Sequence, residues 1–234
     1  MDDFHAKQYW IAVAGGPGSG KSTLTEALCT KINRRAGKEV SCVIPMDGYH
    51  YSRSELQAMG EDESNDYTYD ELLKRRGSPW TFNAPQLIED LTRAKSTGTG
   101  SLPVYSRKLS DPVPDGVELK DGHKIVFVEG NYLLNYNDDA WSPLAPVFDE
   151  KWYVVCESLD VQRERLVERH LETWSDEKTR QFGAGRDGAA LKADDNDMKN
   201  VRTIEENSRE HADRVILSFN CDDYGCDIMD EELF

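Results

Sequence analysis

The sequence predicts an α/β fold: a mainly parallel sheet of five strands with helices on both faces and a helical lid. Three observations carry this expectation. A glycine-rich phosphate-binding motif lies near the N-terminus, between an apolar run and a helical pattern. Four further short runs, apolar or β-branched, are separated by segments of helical periodicity. A polar stretch bearing Gly183, Gly185 and Gly188 then interrupts the last part of the 234-residue chain. Continuously apolar strands joined by helices are the signature of a parallel sheet covered on both sides.

The first element is Tyr9 to Ala14 (YWIAVA), a buried strand. It runs into Gly15-Gly16-Pro17-Gly18-Ser19-Gly20-Lys21-Ser22, which fits G-x-x-x-x-G-K-S/T. Thr23 follows, and Leu24, Ala27, Leu28 and Ile32 then repeat at helical spacing. Glycines let backbone N–H groups turn inward around phosphate oxygens. The helix start adds the positive end of its dipole. In this pattern Lys21 reaches the β- and γ-phosphates of a nucleotide such as ATP, and Ser22 ligates Mg²⁺. The strand-loop-helix context makes this a P-loop NTPase fold rather than a chance glycine-rich turn.

The other strands are expected at 40–45, 124–129, 152–156 and 214–218. The first helix ends near Ala36, with Gly37 where a left-handed residue is wanted. Thr68 and Glu71 form a capping-box pattern for a second helix, with Leu72 and Leu73 apolar and Gly77 and Pro79 as its stop. Asn83 and Gln86 begin a third helix with Pro85 in its first turn, and Leu87, Ile88 and Leu91 face inward. Residues 96–101 (STGTGS) read as a flexible turn. A further helix spans about Ser158 or Asp160 to Trp174. Residues 176–200 hold few groups to bury and read as a mobile lid or loop, and the acidic tail 222–234 as loosely held. No repeat or long linker divides the chain, so 1–234 is expected to be a single domain with a lid at about 165–200.

Composition narrows the partners. Net charge is −16, from 44 acidic against 28 basic residues, which opposes docking on nucleic acid or an anionic membrane. No apolar run is long enough to span a bilayer, and Met1-Asp2-Asp3-Phe4 lacks the regions of a signal peptide. Cys29, Cys42, Cys156, Cys221 and Cys226 are an odd, scattered set, expected as free thiols in a reducing, cytoplasmic setting. They do not complete a zinc site, and the acids Asp194–Asp197 lack the glycine of an EF-hand loop. The composition is compatible with a homodimer.

Phosphoryl transfer to a hydroxyl needs a carboxylate at the hydroxyl, an acid on the metal side, and cations around the moving group. Asp47 follows the second strand, where ligands of open α/β sheets sit, although Asp-Gly is also a common turn. Glu129 ends the apolar strand Phe127-Val128-Glu129 and is placed to hold Mg²⁺ through water or to orient the substrate. Arg165 and Arg169 share one helix face. They read either as clamps that close over the phosphates or as partners of Glu164, Glu168 and Glu172 in a salt-bridged helix.

With the phosphate loop, the stretches MDGYH, RRGSPWTFN, PVYSR and VFVEGNYLL resemble, in that order, the uridine kinase/phosphoribulokinase/pantothenate kinase superfamily of P-loop kinases. Around Asp47 and Arg76 they are more similar to its pantothenate-kinase-like branch. The resemblance covers roughly Tyr9 to Ile204. It implies ATP and Mg²⁺ as cofactors and a small-molecule acceptor, with Asp47 as the base and Glu129 as the acid of a Glu-Gly element. It also implies an acceptor pocket with His50, Arg76, Tyr105 and Arg107, and Arg165 and Arg169 as lid arginines. The chain departs from the pattern in having Arg107 for a histidine and Asn83 for an aspartate, and in its course after His170. An extra arginine favours an anionic acceptor, a carboxylate or a sugar phosphate.

Two other functions fit a phosphate loop. A GTPase switch requires an Asn-Lys-x-Asp element, which the sequence lacks. A non-catalytic nucleotide-binding regulatory protein would have no need of Lys21, Ser22, Asp47 and Glu129 together.

Overall fold

The computed structural model describes residues 8–219. Five strands form one parallel sheet: β1 (Tyr9–Ala14), β2 (Ser41–Pro45), β5 (Ile125–Gly130), β6 (Glu150–Cys156) and β7 (Arg214–Ser218). Their order is β2-β5-β1-β6-β7, so the chain reverses direction across the sheet on either side of β1. Ligands of such sheets bind beyond the carboxyl ends of the strands at this switch point. All five expected strands are present, displaced by two residues at most.

The alternation within β1 explains why the sheet is covered twice. Trp10, Ala12 and Ala14 belong to one buried cluster, with Leu87 and Leu91 of helix α4 (Ala84–Thr97). Ile11 and Val13 point the other way, into a cluster with Leu24, Leu28 and Ile32 of helix α1 (Lys21–Ala36). Leu87 and Leu91 are fully buried. Each such side chain contributes about 1.5–3 kcal/mol of hydrophobic stabilisation.

Local signals fix the helix boundaries. Gly37 ends α1 in the left-handed conformation at φ 64°. Thr68 and Glu71 make both bonds of the capping box on α3 (Tyr69–Lys74). That helix stops short of the expected Gly77, because Ser78 and Thr81 divert the chain into tight turns. Asn83 accepts from the Gln86 N–H at the start of α4. Helix α2 (Arg53–Glu61) has a second capping box, Ser52 with Glu55, that the sequence reading passed over.

Two expectations need correction. The flexible turn at 96–101 contains the last residues of α4, the left-handed Gly98 at φ 74°, and the start of a strand. This strand, β3 (Gly100–Ser106), pairs antiparallel with β4 (Asp111–Leu119) as a separate hairpin. Pro103, Pro112 and Pro114 disguise both strands in the sequence, and the register shifts beside Pro103. The segment 176–200 is not a loop. It forms α6 (Asp176–Phe182), α7 (Gly185–Lys192), a π-helical turn (Ala193–Asp197) and the start of α8 (Met198–Ser208). Its small apolar residues Ala189 and Ala193 pack with Met198 and Val201 against Leu166 and Val167 of α5 (Leu159–Glu172). The acids make bonds: Asp194 pairs with Arg163, and Asp197 is buried against His170 at 2.7 Å. The acidic tail, Cys221 and Cys226 lie outside the described residues; Cys29, Cys42 and Cys156 are free thiols.

Candidate active site

The phosphate loop joins β1 to α1. Gly18 (φ 78°) and Gly20 (φ 90°) take left-handed backbone that a side chain would strain. Gly20 leaves the start of α1 without a side-chain cap, so its first N–H groups are available to an anion. Ser19 N–H donates to the Gly16 carbonyl at 3.1 Å and closes the loop.

Ser22 Oγ donates to Glu129 Oε2 at 3.1 Å, which joins the start of α1 to the end of β5. Glu129 is buried. Burial pushes its carboxyl above the ordinary range, and the charge of Asp47 adds to this, while Lys21 and the Ser22 bond oppose it. Pro45, two residues before Asp47, is the register partner of Glu129 on β5, so both acids stand at the same end of the sheet.

Asp47 sits in a 3₁₀ turn, Met46–Tyr49, directly after β2. Both flanks of that turn are held by glycine contacts. A Cβ on Gly48 would stand 2.2 Å from the Pro103 carbonyl of β3, and one on Gly130 would stand 2.4 Å from Met46 Cβ. Tyr49 adds a buried hydrogen bond to Asp90 at 3.2 Å. The turn buries Met46, Gly48 and Tyr49 and leaves Asp47 exposed, with its charge acting on Glu129, His50, Tyr105 and Tyr132.

Aromatic rings gather beside the Asp47 turn. The His50 ring lies 3.9 Å from Phe82 and 4.9 Å from Tyr105, centre to centre. His50 Nδ1 is 2.8 Å from the Asp47 carbonyl oxygen. A carbonyl only accepts, so Nδ1 carries the proton and Nε2 is an acceptor. Burial lowers the His50 pKa and favours this neutral form. The Arg76 guanidinium stands 5.3 Å from the Tyr105 ring centre. Its terminal nitrogens donate to the Ser110 and Tyr51 carbonyls and to Asp111, so Arg76 braces the hairpin.

Glu164, Glu168 and Glu172 stay beside Arg165 and Arg169 on α5 and line the same cavity. Arg186 of α7 pairs with both Glu164 and Glu168. Arg165 instead contacts Ser218 Oγ (3.0 Å), Cys156 Sγ (3.1 Å) and the Gly18 carbonyl (3.5 Å) beside the phosphate loop. Arg169 lies 3.6 Å from Asp197. Both arginines and Arg107 of the hairpin line one open cavity of about 520 Å³. Arg107 lines this cavity, whereas His50 lines a different one with Gly48, Tyr49 and Pro103. The π-helical turn is tied to the segment after α3: Arg75 donates to the Asp195 carbonyl at 3.1 Å and Asn196 to the Arg76 carbonyl at 3.1 Å. Sequence reasoning missed Asn196, Asp197 and His170 because the cluster reads as surface acid; the only available signal was His170 on the inward face of α5.

Among the described residues no group of three or more His, Cys, Asp or Glu side chains forms a metal cage. A hydroxyl and a carboxylate at the start of α1 do fit a hard cation whose other ligands are phosphate oxygens and water, as Mg²⁺ prefers.

Comparison with known proteins decides the family. Residues 10–173 match the model of the phosphoribulokinase/uridine kinase family. The chain belongs to that family. A relative from Schizosaccharomyces pombe, named as a candidate uridine kinase, is 35% identical over 206 residues, 87% of this chain and 80% of that one. A pantothenate kinase of Latilactobacillus sakei is 29% identical over 151 residues, 64% of this chain and 45% of that one. Among solved structures, a candidate fructose transport system kinase from Silicibacter sp. TM1040 superposes with TM-score 0.73, at 27% identity and 92% coverage of both chains. YFH7 of Saccharomyces cerevisiae shares the fold, with TM-score 0.72 at 19% identity over 92% of this chain and 93% of that one. The phosphoribulokinase/uridine kinase fold thus accounts for the sheet order and the loop. No helix among the described residues is long and apolar enough to cross a membrane.

Proposed function

We propose that the protein transfers the γ-phosphoryl group of ATP to a hydroxyl of a small acceptor of nucleoside, vitamin or sugar type. The observation that carries this reading is the placement of Asp47 beside Glu129, Lys21 and Ser22 at the carboxyl edge of the sheet. The backbone N–H groups of Gly15, Gly16, Gly18 and Gly20, with Lys21, Ser22 and Thr23, bind the phosphates, while Pro17 and Ser19 shape the loop. Ser22 and Glu129 would hold Mg²⁺, and the cation would supply neutralisation of charge on the phosphates. Asp47 accepts the acceptor's hydroxyl proton as that oxygen bonds to the γ-phosphorus; the bond from phosphorus to the β–γ bridging oxygen breaks, and ADP leaves. Arg165 and Arg169 steady the charge on the moving group.

His50, Tyr105 and Phe82 form the acceptor wall, and Arg107 favours an acceptor bearing a carboxylate or phosphate. Residues at about 165–200 act as the lid of a single kinase domain spanning 1–234. The three free thiols support a reducing compartment such as the cytoplasm. The test is ADP release from MgATP across a panel of nucleosides, vitamins, sugars and sugar phosphates. Acceptor-dependent release supports the reading. Binding of MgATP with no transfer to any acceptor would favour the non-catalytic alternative.

A further inference from the structure

The back of the phosphate loop rests on α5. Gln162, buried on that helix, donates from Nε2 to the Pro17 carbonyl at 2.8 Å. The contact is close on both sides of Pro17. A Cβ on Gly16 would stand 3.1 Å from Gln162 Nε2, and one on Gly18 would stand 3.1 Å from the Gln162 carbonyl. Leu166, one turn on, is 3.0 Å from that same Gly18 position. The helix and the loop therefore fit together without room for side chains on either glycine.

We propose that Gln162 is a positioning residue that sets the direction of the Gly18 N–H, and through it the affinity of the loop for phosphate. The peptide unit between Pro17 and Gly18 is planar and trans, so its C=O and N–H point in opposite directions. Gln162 draws the Pro17 carbonyl outward, toward α5. The Gly18 N–H of the same unit is thereby turned inward, to the side where the loop amides converge. The preceding unit, Gly16–Pro17, has no N–H to offer, so after Gly16 the next donor along the loop is the Gly18 N–H that Gln162 orients. Because Gln162 stands on the helix that also carries Arg165 and Arg169, the lid and the loop share one rigid support.

This inference rests on the phosphate-loop reading, and the wild-type titration separates the two. If wild-type protein binds neither MgATP nor tripolyphosphate, the reading of the loop itself fails. Given wild-type binding, Gln162→Met keeps length and volume and removes the donor. Its dissociation constants for MgATP and for tripolyphosphate should both rise about 10-fold, the factor expected for one hydrogen bond of ordinary net strength. The KM for the acceptor should stay put. Gln162→Glu supplies a readout that packing alone does not move. Its buried carboxyl donates only when protonated, so its nucleotide affinity should recover relative to wild type as pH falls. Unchanged affinity in Gln162→Met overturns the proposal, and so does a Gln162→Glu affinity that tracks wild type at every pH. Should Gln162→Met fold poorly, the Gln162→Glu pH profile decides alone.

Discussion

Ser22 on α1 and Glu129 on β5 meet at 3.1 Å, although 107 residues separate them in the chain. The bond ties the nucleotide end of the sheet to the strand that lies beside β2, from which Asp47 projects. Phosphoryl transfer depends on positioning and charge more than on covalent chemistry. A hydroxyl, two carboxylates and Lys21 converging on one strand edge provide both.

Asp47→Asn should lower kcat by roughly 10²–10⁴, the usual contribution of a positioned general base. Affinity for MgATP should change little, because Asp47 does not form the loop. Steady-state kinetics beside a nucleotide titration checks this split.

Glu129 carries a cost in stability. Its folded pKa is raised, so the stability linked to it is fully present below its unfolded pKa and is lost as pH rises through the raised value. Glu129→Gln should therefore raise Tm at neutral pH while weakening the dependence of activity on Mg²⁺. A Tm lower than wild type would show that the carboxylate stabilises the fold.

How much of this was legible in the sequence depends on whether the signal was local. β1, the loop and α1 were readable because chain neighbours make the motif: apolar strand, glycines, then helical periodicity. Asp47 and Glu129 were readable as strand-end acids. The β3–β4 hairpin was not, because its prolines argue against strands and its pairing is not evident from local pattern. The segment 176–200 reads as a mobile lid or loop because it offers few residues to bury; only the fold brings Arg163 and His170 to Asp194 and Asp197. Arg76 was placed in the pocket by resemblance, while its bonds to Ser110, Tyr51 and Asp111 depend on the hairpin.

Asp197 anchors the lid. Burial pushes its pKa up, but the His170 hydrogen bond, with the charges of His170, Arg169 and Lys192, outweighs this and holds it below the usual value. Asp197→Ala leaves a buried partner behind and should cost about 3 kcal/mol, read by urea denaturation. In wild type, the stability due to this group is present above its unfolded pKa. It is lost as pH falls through the lowered folded value, so the variant's deficit should vanish in strong acid.

Gly48→Ala should misplace the catalytic turn. The new methyl would meet the Pro103 carbonyl at 2.2 Å, so either the turn or β3 must move. Displacement of the base by about 1 Å costs on the order of 10²-fold in kcat. The assay is kcat at saturating MgATP; a variant as active as wild type would show that the turn tolerates the shift.

Arg107→Ala tests the charge of the acceptor. Loss of one charged hydrogen bond should raise the acceptor KM by about 10-fold or more. An unchanged KM would exclude an anionic acceptor held by Arg107.

The most direct measurement follows acceptor-dependent ADP formation by wild-type protein and by Asp47→Asn under identical MgATP. The account predicts turnover with at least one hydroxyl acceptor in the wild type, and near-complete loss in the variant with nucleotide binding intact. Equal turnover in the two proteins would contradict it.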